Sequence, residues 1–154
     1  IQISYNKTLK LTNVVIKEFN LQENEGLAKE ILQMENYIKS KGAQPVGPIV
    51  QYTTIETCSE TQNSKVIIKL LRQANTFLHN VEPPYSMEAV LRVKNCILAR
   101  FKGNENKLKL AYDKINVVAF EEDIPLKGDS YTVFVANNDG EMIADVFMEC
   151  EINE

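Results

Sequence analysis

Two stretches decide the fold of this chain: residues 108–119, LKLAYDKINVVA, and residues 130–152, SYTVFVANNDGEMIADVFMECEI. In the first stretch apolar residues recur at helical spacing, at positions 108, 111, 112, 115, 118 and 119. In the second, Ser130–Ala136 and Met142–Ile152 have strand composition and flank Asn137-Asn138-Asp139-Gly140, whose residues suit the positive φ angles of a hairpin turn. The loop 123–129, with Pro125 and Gly128, separates the two stretches. The sequence therefore predicts a helix followed by a β-hairpin.

A strand pattern precedes this helix. Met87, Ala89, Leu91 and Val93 alternate with polar residues, and the alternation repeats in the run 97–101 until Gly103 ends it. A turn or bulge near Lys94-Asn95 is predicted to separate the two pieces. The second half of the chain is therefore read as strand, helix, strand, strand.

The first half has the same order. Asn13–Phe19 (NVVIKEF) predicts a strand, with a shorter one at Ile1–Tyr5. In the run 27–41 the apolar residues at 27, 31, 34 and 38 form one helical stripe, and Gly42 stands where a helix C-cap glycine belongs. Ile49–Ile55 (IVQYTTI) again has strand composition.

The polar run Glu56–Ser64 predicts a hairpin loop between this strand and the next. Ser64–Arg72 (SKVIIKLLR) completes the first half as a strand, although its apolar pattern also allows a helix. The sequence thus predicts an α+β fold of two duplicated βαββ units. Their strands join into one antiparallel sheet, with both helices on one side and a central groove. The 154 residues are one domain's length, with structural repeats at about 1–80 and 85–154.

Composition and charge exclude several classes of function. With 21 acidic and 17 basic residues the net charge is −4, so no general positive field attracts nucleic acid and none is expected as a direct partner. No apolar run approaches the length of a membrane span, and the N-terminus lacks a signal pattern, which predicts a cytoplasmic protein without membrane contact. Cys58, Cys96 and Cys150 are too far apart in sequence for a zinc motif, and no metal or other cofactor is expected.

Several landmarks in their order resemble one family. Gly42–Tyr52 (GAQPVGPIVQY) follows the first helix, and Phe101-Lys102-Gly103 precedes the helix that contains Tyr112. Gly128 with Tyr131, and Asp145-Val146-Phe147 in the last strand, complete the set. This order resembles the GyrI-like small-molecule-binding superfamily, which includes gyrase-inhibitory proteins and the effector-binding domains of multidrug-responsive bacterial transcription regulators. The resemblance implies a stand-alone, non-catalytic bacterial domain whose groove takes small apolar or amphipathic ligands.

The chain departs from this family at two positions on one strand. Cation-binding members commonly carry a glutamate and a second aromatic hydroxyl where this chain has Thr132 and Phe134. A neutral hydroxyl does not replace the attraction between a buried carboxylate and a cation. In the last strand the family's proline is missing near Glu149, which leaves that strand more acidic.

The ligand-binding residues predicted for the groove are Tyr52, Phe101, Tyr112, Thr132 and Phe134. Tyr52 and Tyr112 rank first among the aromatic residues because their hydroxyls offer orienting polar groups in an apolar cleft. The alternative is that the aromatic residues simply fill the core between helices and sheet. Glu121-Glu122-Asp123, after the second helix, opposes the helix dipole and is interpreted as a solvated loop.

Other chemistry has weaker support in the sequence. His79 is the only histidine, no Gly-x-Ser-x-Gly motif accompanies it, and a surface or loop position is the simpler interpretation. Cys96 and Cys150 lie in apolar strand patterns and are interpreted as buried, whereas Cys58 lies in a polar loop. Two alternative functions stay open: a protein-interaction module that binds a partner through an outer face, and a hydrolase that uses a carboxylate such as Glu149.

Overall fold

Strands make up most of the described chain. The computed structural model describes residues 1–19, 26–57, 60 and 63–151. Its elements, in chain order, are β1 (Gln2–Phe19), α1 (Leu27–Ser40), β2 (Pro45–Thr57), β3 (Ser64–Ala74), β4 (Tyr85–Asn104), a 3₁₀ turn (Glu105–Lys107), α2 (Lys109–Glu121), β5 (Ser130–Asn138) and β6 (Glu141–Glu149). This order is the predicted strand, helix, strand, strand, repeated twice, and the α+β class with an antiparallel sheet and two helices is confirmed.

The chain divides into two compact units. The first unit is Lys10–Leu91, and the second unit combines Ile1–Leu9 with Arg92–Glu154. The units differ from the predicted repeats because the first nine residues belong with the second unit and Tyr85–Leu91 with the first. The interpretation of the whole chain as one domain stays a prediction.

In the first unit β3 pairs antiparallel with both β1 and β2, and α1 packs against these strands. β3 pairs with β1 from Ile68 to Gln73 and with β2 along its whole length, so the helix alternative for Ser64–Arg72 is wrong. Met34 and Ile38 of α1 are fully buried against Val15, Leu70 and their neighbours. Gly42, with a φ of 82°, follows the end of α1 as predicted, in a conformation that suits glycine.

The second unit places α2 over an antiparallel sheet in which β6 pairs with both β4 and β5. Ala111, Ile115 and Ala119 of α2 pack on apolar side chains of β4 and β6, and Ile3 packs against the same core. The hairpin ladder runs to Asn138 and Glu141, so the turn is Asp139-Gly140, with φ angles of 51° and 83°. Both central residues have positive φ, the turn chemistry that the sequence predicted.

The predicted division of the first strand is wrong, and near Lys94-Asn95 the strand is continuous, so the turn alternative is wrong there. The two runs predicted as separate strands, Ile1–Tyr5 and Asn13–Phe19, fall on one strand, β1, which begins at Gln2, and the runs on either side of Lys94-Asn95 belong to one strand, β4. Asn6, Asn13 and Asn95 each have a φ between 51° and 60° inside these strands. Because asparagine tolerates this left-handed conformation, the strand bends locally and continues. Neither helix is long and apolar enough to span a membrane, taking the described residues alone.

Candidate functional site

Four of the five predicted ligand residues lie in the second unit. Phe101 is on β4, Tyr112 on α2, and Thr132 and Phe134 on β5. Tyr52 lies on β2, in the first unit.

The hydroxyl groups of Tyr112 and Thr132 are hydrogen-bonded to each other. Thr132 is fully buried, Tyr112 is half-buried, and burial raises the pKa of the Tyr112 hydroxyl. The pair is uncharged at neutral pH, and each hydroxyl group is the hydrogen-bond partner of the other. The position that the family resemblance assigns to an acid thus holds a neutral polar contact between α2 and β5.

Phe101 and Phe134 differ in burial. Phe101 belongs to the buried core under α2, and the backbone of Gly103 lies so close to its ring that a Cβ there would stand 3.3 Å from Phe101 Cζ. Phe134 is half-buried, two residues along β5 from Thr132 and paired with Ala144 on β6. Phe101 therefore fills the core, as the alternative interpretation of the aromatic residues proposed.

Tyr52 is half-buried and its ring faces a neighbouring cation. Lys69 is its cross-strand partner on β3, and the ammonium nitrogen lies 5.9 Å from the ring centroid. This is the geometry of a cation–π contact.

The remaining candidates have ordinary surroundings. His79 is exposed and its ring makes an edge contact with Phe77, at 5.1 Å between centroids. The Glu149 carboxylate accepts a hydrogen bond of 2.9 Å from Lys127 Nζ. Cys96 and Cys150 are buried free thiols, as predicted, and burial raises the pKa of Cys96 to about 12. Cys58 lies outside the described residues.

The second unit contains a cavity that the sequence did not predict. It has a volume of about 340 Å³ and opens beside the loop after α2; we call it the Pro125 cavity. Its lining residues are Tyr5, Asn6, Asn95, Ile97, Asp123, Ile124, Pro125, Cys150 and Glu151. Ile97, Ile124, Pro125 and Cys150 supply apolar wall, and the polar groups come from five other side chains.

The charged side chains that line the Pro125 cavity are both acidic. Asp123 and Glu151 are exposed, and neither lysine nor arginine is among the lining residues. Tyr5 hydrogen-bonds to the carboxylate of Glu122, which raises the pKa of the Tyr5 hydroxyl and brings a third acid next to a lining residue. Cys150 presents a thiol whose pKa is also raised by burial. The electrostatic potential of the cavity therefore favours a cation or a strong hydrogen-bond donor.

Backbone hydrogen bonds hold the walls of this cavity in place. The Cys150 N–H donates to the Asn95 carbonyl at 3.0 Å, the Glu151 N–H to the Pro125 carbonyl at 2.8 Å, and the Ile124 N–H to the Ala119 carbonyl at 2.8 Å. Asn6, Asn95 and Asp123, all lining residues, have φ angles of 52°, 60° and 55°. These positive φ angles direct the chain around the opening.

Sequence reasoning missed most of these residues because they come from four separate segments. The sequence presents Asp123 only as part of an acidic run, and Asn95 only as a predicted irregularity in a strand. The available signal was an asparagine inside each long strand pattern, at Asn6 and Asn95, which is typical of positive φ. Among the described residues no cluster of histidine, cysteine and acidic side chains could hold a metal ion.

Comparison with known proteins gives fold relatives only. No protein-family model matches the chain, and no curated protein matches it in sequence. Among solved structures it is similar to EcmrR in the cryo-EM structure of the EcmrR–DNA complex in EcmrR-RPo, with a TM-score of 0.66 and 15% identity. That match covers 99% of this chain and 58% of the EcmrR chain, so this chain spans less than two thirds of that relative.

Two further structures match over nearly the full length of both chains. A hydrolase from Listeria innocua encoded by lin2189 has a TM-score of 0.60 and 9% identity, over 97% of this chain and 91% of that one. SAV2435 bound to tetraphenylphosphonium has a TM-score of 0.53 and 8% identity, over 97% and 93%. The chain has the fold of these proteins. The fold expected from the GyrI-like resemblance is thereby confirmed.

Proposed function

We propose that this chain is a small-molecule-binding domain whose ligand is a small amphipathic cation held in the Pro125 cavity. The observation that carries the proposal is an apolar-walled cavity of about 340 Å³ whose charged lining residues are both acidic. Small-molecule sites in proteins have volumes of roughly 300–1,000 Å³ and combine mostly apolar walls with a few polar groups. The tetraphenylphosphonium bound to SAV2435, a protein of the same fold, is a ligand of this chemical kind.

The charge preference comes from residues outside the strand that the family resemblance singled out. At that strand the acid is replaced by Thr132, whose hydroxyl is paired with Tyr112. Asp123 and Glu151 lie instead in the loop after α2 and just beyond β6. Both carboxylates are exposed, so each contributes modestly to the binding of a cation, and the apolar walls supply most of the affinity.

Binding without catalysis is part of this proposal. Burial keeps the Cys150 thiol protonated, which makes it a poor nucleophile, and Glu149 is engaged by Lys127. The net charge of −4 argues against direct contact with nucleic acid. The scattered cysteines suit a cytoplasmic protein.

Calorimetric titration and thermal shift with two ions of the same shape test the proposal. Tetraphenylphosphonium is expected to bind and to raise the melting temperature, whereas the anion tetraphenylborate is expected to do neither. The double variant Asp123→Asn/Glu151→Gln is expected to weaken tetraphenylphosphonium binding about tenfold, because two favourable charges are lost. Asparagine tolerates the positive φ of Asp123, so the backbone is preserved.

Matched variants show where the ligand sits. Asp139→Asn/Glu141→Gln makes the same charge change on exposed hairpin residues of the second unit and is expected to leave affinity unchanged. Tyr112→Phe removes one hydroxyl of the Tyr112–Thr132 pair and is also expected to leave affinity unchanged. If Tyr112→Phe abolishes binding while the cavity variant does not, the ligand binds at the Tyr112–Thr132 pair instead. If neither ion nor a neutral analogue such as triphenylphosphine oxide binds, the proposed function is wrong.

A further inference from the structure

We propose that a second copy of this chain docks on the exposed face of α2, with the two α2 helices antiparallel. This face, which we call the α2 outer face, consists of Leu110, Val117 and Phe120. Their exposed fractions are 51%, 51% and 85%. The opposite side of the same helix is buried in the core of the second unit. The helix therefore has apolar residues on two opposite sides. One side packs against the core, and the other is exposed.

The outer face has the spacing of a helix-pairing seam. Leu110, Asp113, Val117 and Phe120 follow one another at steps of three, four and three, the pattern of a and d positions in a heptad. All four are exposed. On a helical projection they fall within one solvent-facing arc, and Asp113 is the single polar member. Scattered exposed apolar residues are common on proteins, but three aligned on one helix face are typical of an interface.

The charges along α2 run against its own dipole. Lys107 and Lys109 lie at the N-terminal end, where the dipole is positive, and Glu121, Glu122 and Asp123 follow at the negative C-terminal end. The last turn of α2 contains no basic residue and the first turn no acidic one. This arrangement costs stability in an isolated helix. An antiparallel neighbour of the same sequence offsets it, because each basic end then meets an acidic end.

The pairing can be specified from the heptad positions. When Leu110 of one copy lies opposite Phe120 of the other, Asp113 lies opposite Val117. The flanking positions then bring Lys107 near Glu121 of the second copy, and Lys109 near the acidic segment Glu122-Asp123 that follows α2 of the second copy. Because the arrangement has two-fold symmetry, each of these opposite-charge pairs occurs twice. Lys114 faces Lys114 of the second copy across the two-fold axis and is the exception to this match. The basic and acidic ends of the helix complement each other, and this complementarity selects a second copy as the occupant.

A shallow surface pocket next to Phe120 provides a place for the facing apolar side chain. It has a volume of about 440 Å³ and is lined by Ala119, Phe120, Asp123, Ile124 and Pro125. Leu110 of the second copy, opposite Phe120, occupies part of this pocket. α2 has 13 residues and is about 20 Å long, which is short for a stable interface. We therefore expect a reversible dimer with a dissociation constant on the order of 10⁻⁴ M.

Sedimentation velocity over a concentration series from about 10 μM to 1 mM tests the dimer. The wild-type chain is expected to shift from monomer to dimer within this range. Phe120→Ser is expected to weaken dimerisation at least tenfold, whereas Val135→Ser, a matched change at another exposed apolar residue of the second unit, is expected to leave it unchanged. A wild-type chain that stays monomeric at 1 mM would overturn the proposal.

Charge exchange tests the antiparallel geometry. Lys107→Glu and Glu121→Lys each improve the match with the helix dipole, so both variants are expected to fold. Each alone places like charges opposite one another and is expected to sediment as monomer. An equimolar mixture of the two is expected to restore the dimer, because position 107 of each chain then faces an opposite charge at position 121 of the other. If the mixture stays monomeric while wild type dimerises, or if both single variants dimerise normally, the pairing is wrong.

Neither of these charge variants changes a lining residue of the Pro125 cavity, but Asp123, Ile124 and Pro125 line both that cavity and the pocket next to Phe120. Ligand binding is therefore measured at about 10 μM chain, where the expected dissociation constant leaves the chain mostly monomeric, so that ligand binding and dimerisation can fail independently. A dimer that Phe120→Ser does not weaken would assign the interface to another surface. Binding of an unrelated partner to the α2 outer face of a monomeric chain would likewise contradict self-association.

Discussion

At the scale of single residues, the most informative side chains are the buried polar ones. Thr132 and Asp145 are nearly inaccessible, and each is satisfied by one specific partner. Arg100 donates two hydrogen bonds of 2.8 Å to the two carboxylate oxygens of Asp145, across the β4–β6 pair. Because the cost of burying a polar group depends on its partner, these contacts determine which substitutions the second unit tolerates.

Arg100→Ala is expected to reduce the free energy of unfolding by about 1–2 kcal/mol, because it leaves the Asp145 carboxylate buried and unpaired. Half of the arginine side chain is exposed, which keeps the effect below that of a fully buried pair. Lys102→Ala is the matched control, since Lys102 and Glu141 are both exposed and 3.8 Å apart. Urea unfolding measures the free energy of unfolding of both variants. Equal decreases would show that the buried Asp145 carboxylate is not stabilised by Arg100.

Cys96 makes stability depend on pH in the alkaline range. Its folded pKa of about 12 lies above the ordinary value of 9.0, mainly because of burial. The stability that comes from burying the neutral Cys96 thiol is fully present below pH 9. It is lost as the pH rises towards 12, because in that interval the thiol ionises only in the unfolded state. Cys96→Ala is therefore expected to cost less stability at pH 10.5 than at pH 7, by about 1–2 kcal/mol. Urea unfolding of both proteins at the two pH values measures this, and an unchanged cost would contradict it.

At the scale of secondary structure elements, sequence reasoning succeeded where a local signal was sufficient. The stripe from Leu27 to Ile38 and the glycine at 42 predicted α1 and its end, and the Asp139-Gly140 pair predicted the last hairpin. It failed at Asn6 and Asn13, because the sequence pattern predicts two strands where the structure has one, and at Asn95 it left a turn and a bulge as alternatives. Whether such a residue ends a strand depends on the neighbouring strand's hydrogen bonds, which a single segment of sequence does not contain.

The β5–β6 turn gives a test of the element boundaries. Gly140 has a φ of 83°, and no atom lies within 4 Å of the position of an added Cβ, so Gly140→Ala changes the backbone preference alone. We expect it to cost about 1 kcal/mol in urea unfolding. Asp139→Asn is the control, because asparagine accepts the same positive φ at little cost. If Gly140→Ala leaves the free energy of unfolding unchanged, the turn has changed to another type in the variant.

At the scale of the whole molecule, the candidate site was harder to predict than the fold. Of the five residues predicted, Tyr112 and Thr132 make a direct contact, and Phe101 packs in the core that Tyr112 borders. The Pro125 cavity depends on Tyr5, Asn95, Asp123 and Glu151 meeting from distant positions. No pattern within one segment of the sequence indicates that these residues come together, because the cavity is formed by tertiary packing.

The second unit includes Ile1–Leu9, so deleting this segment is expected to destabilise the second unit more than the first. Ile3 packs against its core and Tyr5 bonds to Glu122, although both residues lie at the start of the chain. Deleting Ile1–Leu9 is therefore expected to lower hydrogen-exchange protection in α2 and β6 much more than in α1 and β3. Mass spectrometry of exchanged peptides measures both sets in one sample. Equal loss throughout the chain would show that the units unfold together.

The second unit is made of two segments that lie before and after the first unit in the sequence. This arrangement also determines the order in which the two units can fold during synthesis. Ile1–Leu9 is synthesised before the first unit, but its partners from Arg92 onward are made only after the entire first unit. At the usual 5–20 residues per second, the segment waits roughly 4–16 s for them. During that time the continuous segment Lys10–Leu91 is already available to fold. Ile1–Leu9 is therefore made before the first unit but buried only after that unit is complete, so these residues stay exposed on the nascent chain in the interval.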